Sequence, residues 1–249
     1  MHRLKYLIIL ALLGAVLGCS VLAHNGLERL NIGKLPTKSA PDGTVKVEHA
    51  VYKGEKGKNL RYKSENLVTG ELVMITGNTK DGYRKMEYSD KSDLAVEKYF
   101  FPNGSLKSVR QCYIGFTYPY DSRLYESRLY ESLLKESKMM RTKPIFYIGI
   151  SREYNIDGKL IKETDYDEHF KFTLDKVKEL LSEKYGIDFS GPGKFAGIAR
   201  YIENGVGRWR LNIPPYIIEK REKGLRLGID GRSGKIISQE EYDIKTSFP

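Results

Sequence analysis

Asp157-Gly158-Lys159-Leu160-Ile161-Lys162-Glu163-Thr164-Asp165-Tyr166 is the stretch on which the architecture turns. Its Asp-Gly pair tolerates positive φ and closes a tight turn, and the Leu/Ile positions alternating with Lys deliver a strand with one apolar face. The pattern returns. Gly234-Lys235-Ile236-Ile237 leads to Tyr242 at the same eight-residue distance that separates Gly158 from Tyr166, and weaker copies start at Gly43, Gly70 and Gly104. At Asn103-Gly104 the entering strand is Tyr99-Phe100-Phe101 and the leaving strand runs from Leu106 to Tyr113, which makes a β-hairpin. No copy carries the residues of a catalytic set.

Outward from these turns, short alternating strands are predicted over Val45 to Tyr52, Leu60 to Tyr62, Glu71 to Thr76 and Tyr83 to Tyr88, all antiparallel because the turns are short. Tyr113 to Phe116 and Tyr147 to Ile150 read as two adjacent strands flanking an insertion. One helix stands out. Thr173 is a good N-cap, Phe172 and Val177 occupy the N′ and N4 positions of a hydrophobic staple, and Gly186 ends the helix. Leu174, Val177, Leu180, Leu181 and Tyr185 form its apolar face, which requires a sheet to cover it. Phe195 to Glu203, the Asn204-Gly205 turn and Arg208 to Ile213 supply that sheet. Trp209, Leu211 and Ile213 alternate with Arg208, Arg210 and Asn212, so the apolar set faces inward and the two arginines face outward. Leu225 to Ile229 and Lys235 to Ser238 close it. The expected class is α+β: antiparallel hairpins followed by a helix packed on an antiparallel sheet, with one continuous sheet carrying the helix on one face as the alternative.

The recurring aromatic, turn Gly and Gly-x-Leu of the copies resemble the MORN-type repeats of bacterial antitoxin and immunity proteins, although any antiparallel meander uses such turns. The stretch from Thr173 to Gln239, with its closing hairpin at Asp230-Gly231-Arg232-Ser233-Gly234, resembles the extracytoplasmic PepSY modules; the residues from Pro214 to Gly224 interrupt the usual spacing. That resemblance implies binding and inhibition more than catalysis.

The start of the chain points to export. Arg3 and Lys5 precede an apolar run from Tyr6 to Leu17, too short for a bilayer span of about 20 residues. Val16-Leu17-Gly18-Cys19 resembles the bacterial lipobox, which implies that residues 1–18 are removed and that Cys19 carries three acyl chains of the palmitate type. A cut after Ala23 is the competing reading and leaves a soluble exported protein. Ser20, where Asp resembles an inner-membrane retention signal, favours the outer membrane. From Ser20 to Gly43 the chain shows little periodicity and reads as a tether. The expected organisation is a signal peptide over 1–18, a tether over 19–43, a β repeat domain over 44–166 with an insertion at 117–144, and a helix-plus-sheet domain over 167–249.

Of 249 residues, 42 are Lys or Arg and 32 Asp or Glu, for a net charge of +10. Loss of Arg3 and Lys5 with the leader leaves about +8. In an exported lipoprotein nucleic acid is not the expected partner; the charge fits anionic headgroups, an acidic protein surface or simply a solvated exterior. There are 2 cysteines. With Cys19 acylated, Cys112 has no partner in the chain and reads as a small buried hydrophobe.

Ser122-Arg123-Leu124-Tyr125-Glu126 is repeated identically at 127–131 and loosely at 132–136. A period of five fits neither helix nor strand, so the segment is either a duplicated loop or a contact surface rich in Tyr and Arg, the residues enriched in interface hot spots. Arg123, Tyr125, Arg128 and Tyr130 are therefore the first candidate partner-binding residues, and Arg208 and Arg210 the second.

Motifs of metalloproteases, serine hydrolases and nucleotide hydrolases are missing from the sequence. The densest ligand set, Asp165, Asp167, Glu168 and His169, is either a metal site or an acidic approach to the helix starting at Thr173, where negative charge is favourable. The second is preferred; no catalytic residue, metal or cofactor is expected. The functional expectation is a membrane-anchored periplasmic immunity or inhibitor lipoprotein that neutralises an envelope toxin, such as a lipase effector of the type VI secretion system. The alternative is an envelope assembly or sensing lipoprotein.

Overall fold

The glycine turns set the strand order, and two meanders result. A computed structural model describes residues 28–55, 57–89, 92–114, 145–187, 197–213 and 223–243. Eight strands follow one another in space as in sequence: β1 (Val45–Gly54), β2 (Gly57–Asn66), β3 (Glu71–Asn78), β4 (Gly82–Ser89), β5 (Leu94–Phe100), β6 (Leu106–Tyr113), β7 (Phe146–Tyr154) and β8 (Leu160–Asp165). The second sheet has four strands in the order β12-β11-β10-β9: β9 (Gly197–Glu203), β10 (Val206–Ile213), β11 (Gly224–Asp230) and β12 (Ile236–Tyr242). Among the described residues there is one α-helix, α1 (Leu174–Tyr185), and one short 3-10 turn, Ile32–Lys34.

These elements correct the expected α+β class. The described residues are mostly antiparallel β, with 59% strand in twelve strands and a single helix. The reason lies in the turns: a hairpin needs only a residue pair that accepts positive φ, and such pairs recur along the chain. Only one window combines caps with a helical apolar period. The single-sheet alternative fails too, because the strands form two sheets.

Two compact units divide the chain and interleave in sequence. The first is drawn from Met1–Lys91, Val96–Gln111 and Ser151–Thr164, the second from Ser92–Ala95, Cys112–Ile150 and Asp165–Pro249. In the first unit, alternation turns Leu60, Tyr62, Ile75, Tyr83, Phe100, Val109 and Tyr154 into one core, with Leu106 beside them. Within the stretch read as a tether, Leu30, Ile32 and Leu35 pack against this core, each apolar burial of this kind contributing about 1.5–3 kcal/mol when complete.

In the second unit Leu174, Val177 and Leu181 of α1 share a core with Ile198, Trp209, Leu211, Ile213, Leu225, Leu227 and Ile229. The helix begins and ends where its caps require. The Thr173 side chain accepts from the Lys176 N–H, and Gly186 closes the end at φ 67°. Phe172 packs on the same core as Val177, completing the staple. Cys112 is fully buried and its thiol donates to the Ala95 carbonyl at 3.6 Å.

Candidate functional site

The acidic stretch before α1 is organised around an arginine that sequence reading passes over. Arg200 of β9 pairs in register with Trp209 of β10, so its side chain lies on the inward face with Ile198. The side chain is 5% exposed, and its Nη1 is 2.5 Å from Asp167 Oδ1. Nη2 donates to the Tyr147 carbonyl. The guanidinium also stacks over Phe146, Phe170 and Trp209, at 5.2, 4.6 and 5.8 Å from their ring centroids. Three π faces and a carboxylate repay the desolvation of this charge. The Trp209 indole N–H donates to the Phe172 carbonyl at 2.9 Å, which locks the cage to the start of the helix.

Asp167 is thus a structural anion. Its second oxygen accepts the Gly149 N–H at 2.8 Å, and its own N–H donates to Asp165 Oδ1 at 2.8 Å. Among the described residues no group of three or more His, Cys, Asp or Glu side chains is placed to hold a metal, so Asp165, Asp167, Glu168 and His169 do not converge. Gly207 lies against the His169 carbonyl so closely that an added Cβ would come within 2.3 Å of its oxygen.

The two outward arginines of β10 differ. Arg208 is committed to the unit: Nη1 is 2.7 Å from Asp230 and Nε 3.8 Å from Glu203. Hydrogen bonds from Ser233 hold the Asp230 carboxyl below the usual range, helped by the Arg208 charge. Arg210 is exposed and stacks at 5.0 Å over Tyr201 of β9. Its cross-strand neighbours are Ala199 and Gly228, which leave the guanidinium uncovered. A second such pair, Arg226 over Tyr242 at 4.7 Å, belongs to β11 and β12. Cys19 and the insertion residues Arg123, Tyr125, Arg128 and Tyr130 lie outside the described residues.

The first unit carries its own ionic face. Glu97, 1% exposed, is held at 2.5 Å by Arg84 Nε and accepts the Tyr99 hydroxyl at 3.2 Å. Burial and the Glu97 charge raise the Tyr99 phenol above its ordinary range.

Sequence reading missed Arg200 although a signal existed: Ile198, Arg200 and Ile202 alternate with Ala199 and Tyr201, which puts a charge on the inward face. Comparison with protein-family models, curated proteins and solved structures finds no match for this chain.

Proposed function

We propose that the protein is a lipid-anchored immunity or inhibitor lipoprotein of the cell envelope that captures a protein toxin, in the manner implied by the MORN-type and PepSY-like resemblances. The observation that carries the binding role is the exposed Arg210–Tyr201 stack, set beside residues too small to cover it. Tyr and Arg are the side chains on which interface energy concentrates, and an arginine already stacked loses little freedom on docking. The acidic stretch supports a non-enzymatic reading, because Asp167 is spent on Arg200. An assembly or sensing role in the envelope is the second reading, and gene neighbourhood separates them: a toxin gene next door favours immunity.

The test is protection of cells against a toxin, should gene neighbourhood supply one. Arg210→Ala with Tyr201→Ala should weaken binding at least tenfold, the loss of about 1.4 kcal/mol, while leaving the unfolding midpoint unchanged. Replacing residues 122–141 with a short Gly/Ser loop should abolish capture through Arg123, Tyr125, Arg128 and Tyr130. Unchanged affinity and unchanged protection in both variants would remove the proposed surfaces.

A further inference from the structure

We infer that residues 28–35 form a clamp docked on the first unit, which limits the leash from an acylated Cys19 to the residues between and holds the protein close to the bilayer. The inference rests on the anchoring proposed above and deepens it by limiting how far from the lipid the first unit can stand.

The clamp is built from backbone, charge and apolar contacts. Leu30 N–H donates to the Gly104 carbonyl at 2.8 Å, and Leu106 N–H donates to the Glu28 carbonyl at 3.1 Å. Arg29 bridges Ser105 in antiparallel register between them. Glu28 Oε1 lies 3.0 Å from Lys98 Nζ, which also holds Glu87 at 2.9 Å. Leu30, Ile32 and Leu35 pack into the core below. Gly104 serves this docking as well as its own turn: at φ 84° it accepts the left-handed conformation, and an added Cβ would stand 2.4 Å from the Leu30 carbonyl oxygen. Farther on, the Ser39 hydroxyl accepts Val47 N–H at 2.9 Å and Ala40 N–H donates to Val45 at 2.9 Å, so the chain stays attached up to β1.

Covalent geometry turns docking into distance. From Cys19 to Glu28 the chain takes nine steps, which span at most about 30 Å, whereas a leash running to Gly43 would span about 80 Å. The shorter reach keeps Glu28 within about 30 Å of the lipid surface.

Lys98 and Glu87 give the clamp a pH range. Burial lowers the Lys98 ammonium, but the carboxylates of Glu87 and Glu28 outweigh it and hold the group above its usual range. Burial raises Glu87, but Lys85 and Lys98 outweigh it and hold the carboxyl low. The raised Lys contributes stability below its ordinary pKa and loses it as pH climbs past the folded value. The lowered Glu contributes above its ordinary pKa and loses it in acid. The Lys98 ion pair with Glu87 therefore holds through neutral pH and weakens in acid, once Glu87 takes a proton.

Amide exchange on the full protein purified from membranes tests the clamp. Leu30 and Leu106 should be protected at pH 7, and Lys98→Met and Gly104→Ala should speed their exchange by about tenfold or more without touching Leu227 of the second unit. Glu28→Gln, which leaves Lys98 its Glu87 partner, provides a milder variant should the others fail to fold. Unprotected Leu30 and Leu106 in the wild type would overturn the clamp. On vesicles with a headgroup acceptor dye, a donor on Lys80→Cys should transfer more efficiently in the wild-type background than with Gly104→Ala. Equal transfer would overturn the leash. Failure of the wild type to float with the vesicles would instead remove the anchoring reading, and the exchange result would still stand.

Discussion

Arg200→Met should lower the stability of the second unit by about 3 kcal/mol, read from urea unfolding. The substitution keeps most of the bulk inside the cage but takes away the donor to Tyr147 and the partner of Asp167, charged hydrogen bonds worth about 1.5–3 kcal/mol each in favourable cases. It also removes a desolvated cation from three rings, a further contribution of up to about 2 kcal/mol. Methionine packing and its contacts with the rings return part of this, which gives the net figure. Asp167→Asn should cost less, about 1 kcal/mol, since its carboxyl is 40% exposed and the Gly149 contact survives. If Arg200→Met is neutral while Asp167→Asn abolishes an enzymatic turnover, the acidic stretch is a reaction site and the structural account of it is wrong.

Arg84→Met should have an effect as large in the first unit. Glu97 is 1% exposed and Arg84, 32% exposed, holds it with Nε at 2.5 Å; taking the arginine from a buried carboxylate that keeps only the Tyr99 hydroxyl among the bonds named above costs about 3 kcal/mol. The double variant Arg84→Met with Glu97→Leu should recover part of that loss, since an apolar pair of similar volume replaces the ion pair while the Tyr99 hydroxyl loses its acceptor. Denaturation midpoints of the two singles and the double give the coupling directly. A double variant as unstable as the single would mean that the pair matters for its shape and not for its charge balance.

What could be read from the sequence is what local chemistry writes. Asn103-Gly104, Asp157-Gly158 and Asn204-Gly205 announce their turns, and alternation does the rest, so the strands on either side were legible to within a few residues. Thr173, Phe172 and Gly186 mark the helix because caps act over three or four positions. The α+β expectation gives one well-marked helix the weight of a layer of the fold, when the described residues hold twelve strands and a single helix. Pairings across long separations left no local trace. Arg200 meets Asp167 and Tyr147 over 33 and 53 residues, and Lys98 meets Glu28 over 70. The segment from Glu28 to Leu35 looks like linker because its apolar residues follow no period. They follow none because a single bridge and a 3-10 turn, not a strand or helix, hold them to the core.

Of the candidate site, Arg208 and Arg210 were placed on the outward face by parity alone, but their difference was invisible. Asp230, whose turn the sequence did reveal, lies directly across from Arg208 and takes its charge. Gly228 lies across from Arg210 and takes nothing.

The proposed function and the leash both depend on one proposed covalent bond, the acylation of Cys19, and metabolic labelling with a fatty-acid probe tests it. The wild-type protein should carry the label and sediment with membranes, and Cys19→Ser should lose the label and be released. A wild type that never takes the label, or a Cys19→Ser protein that stays on the membrane without it, would contradict the account.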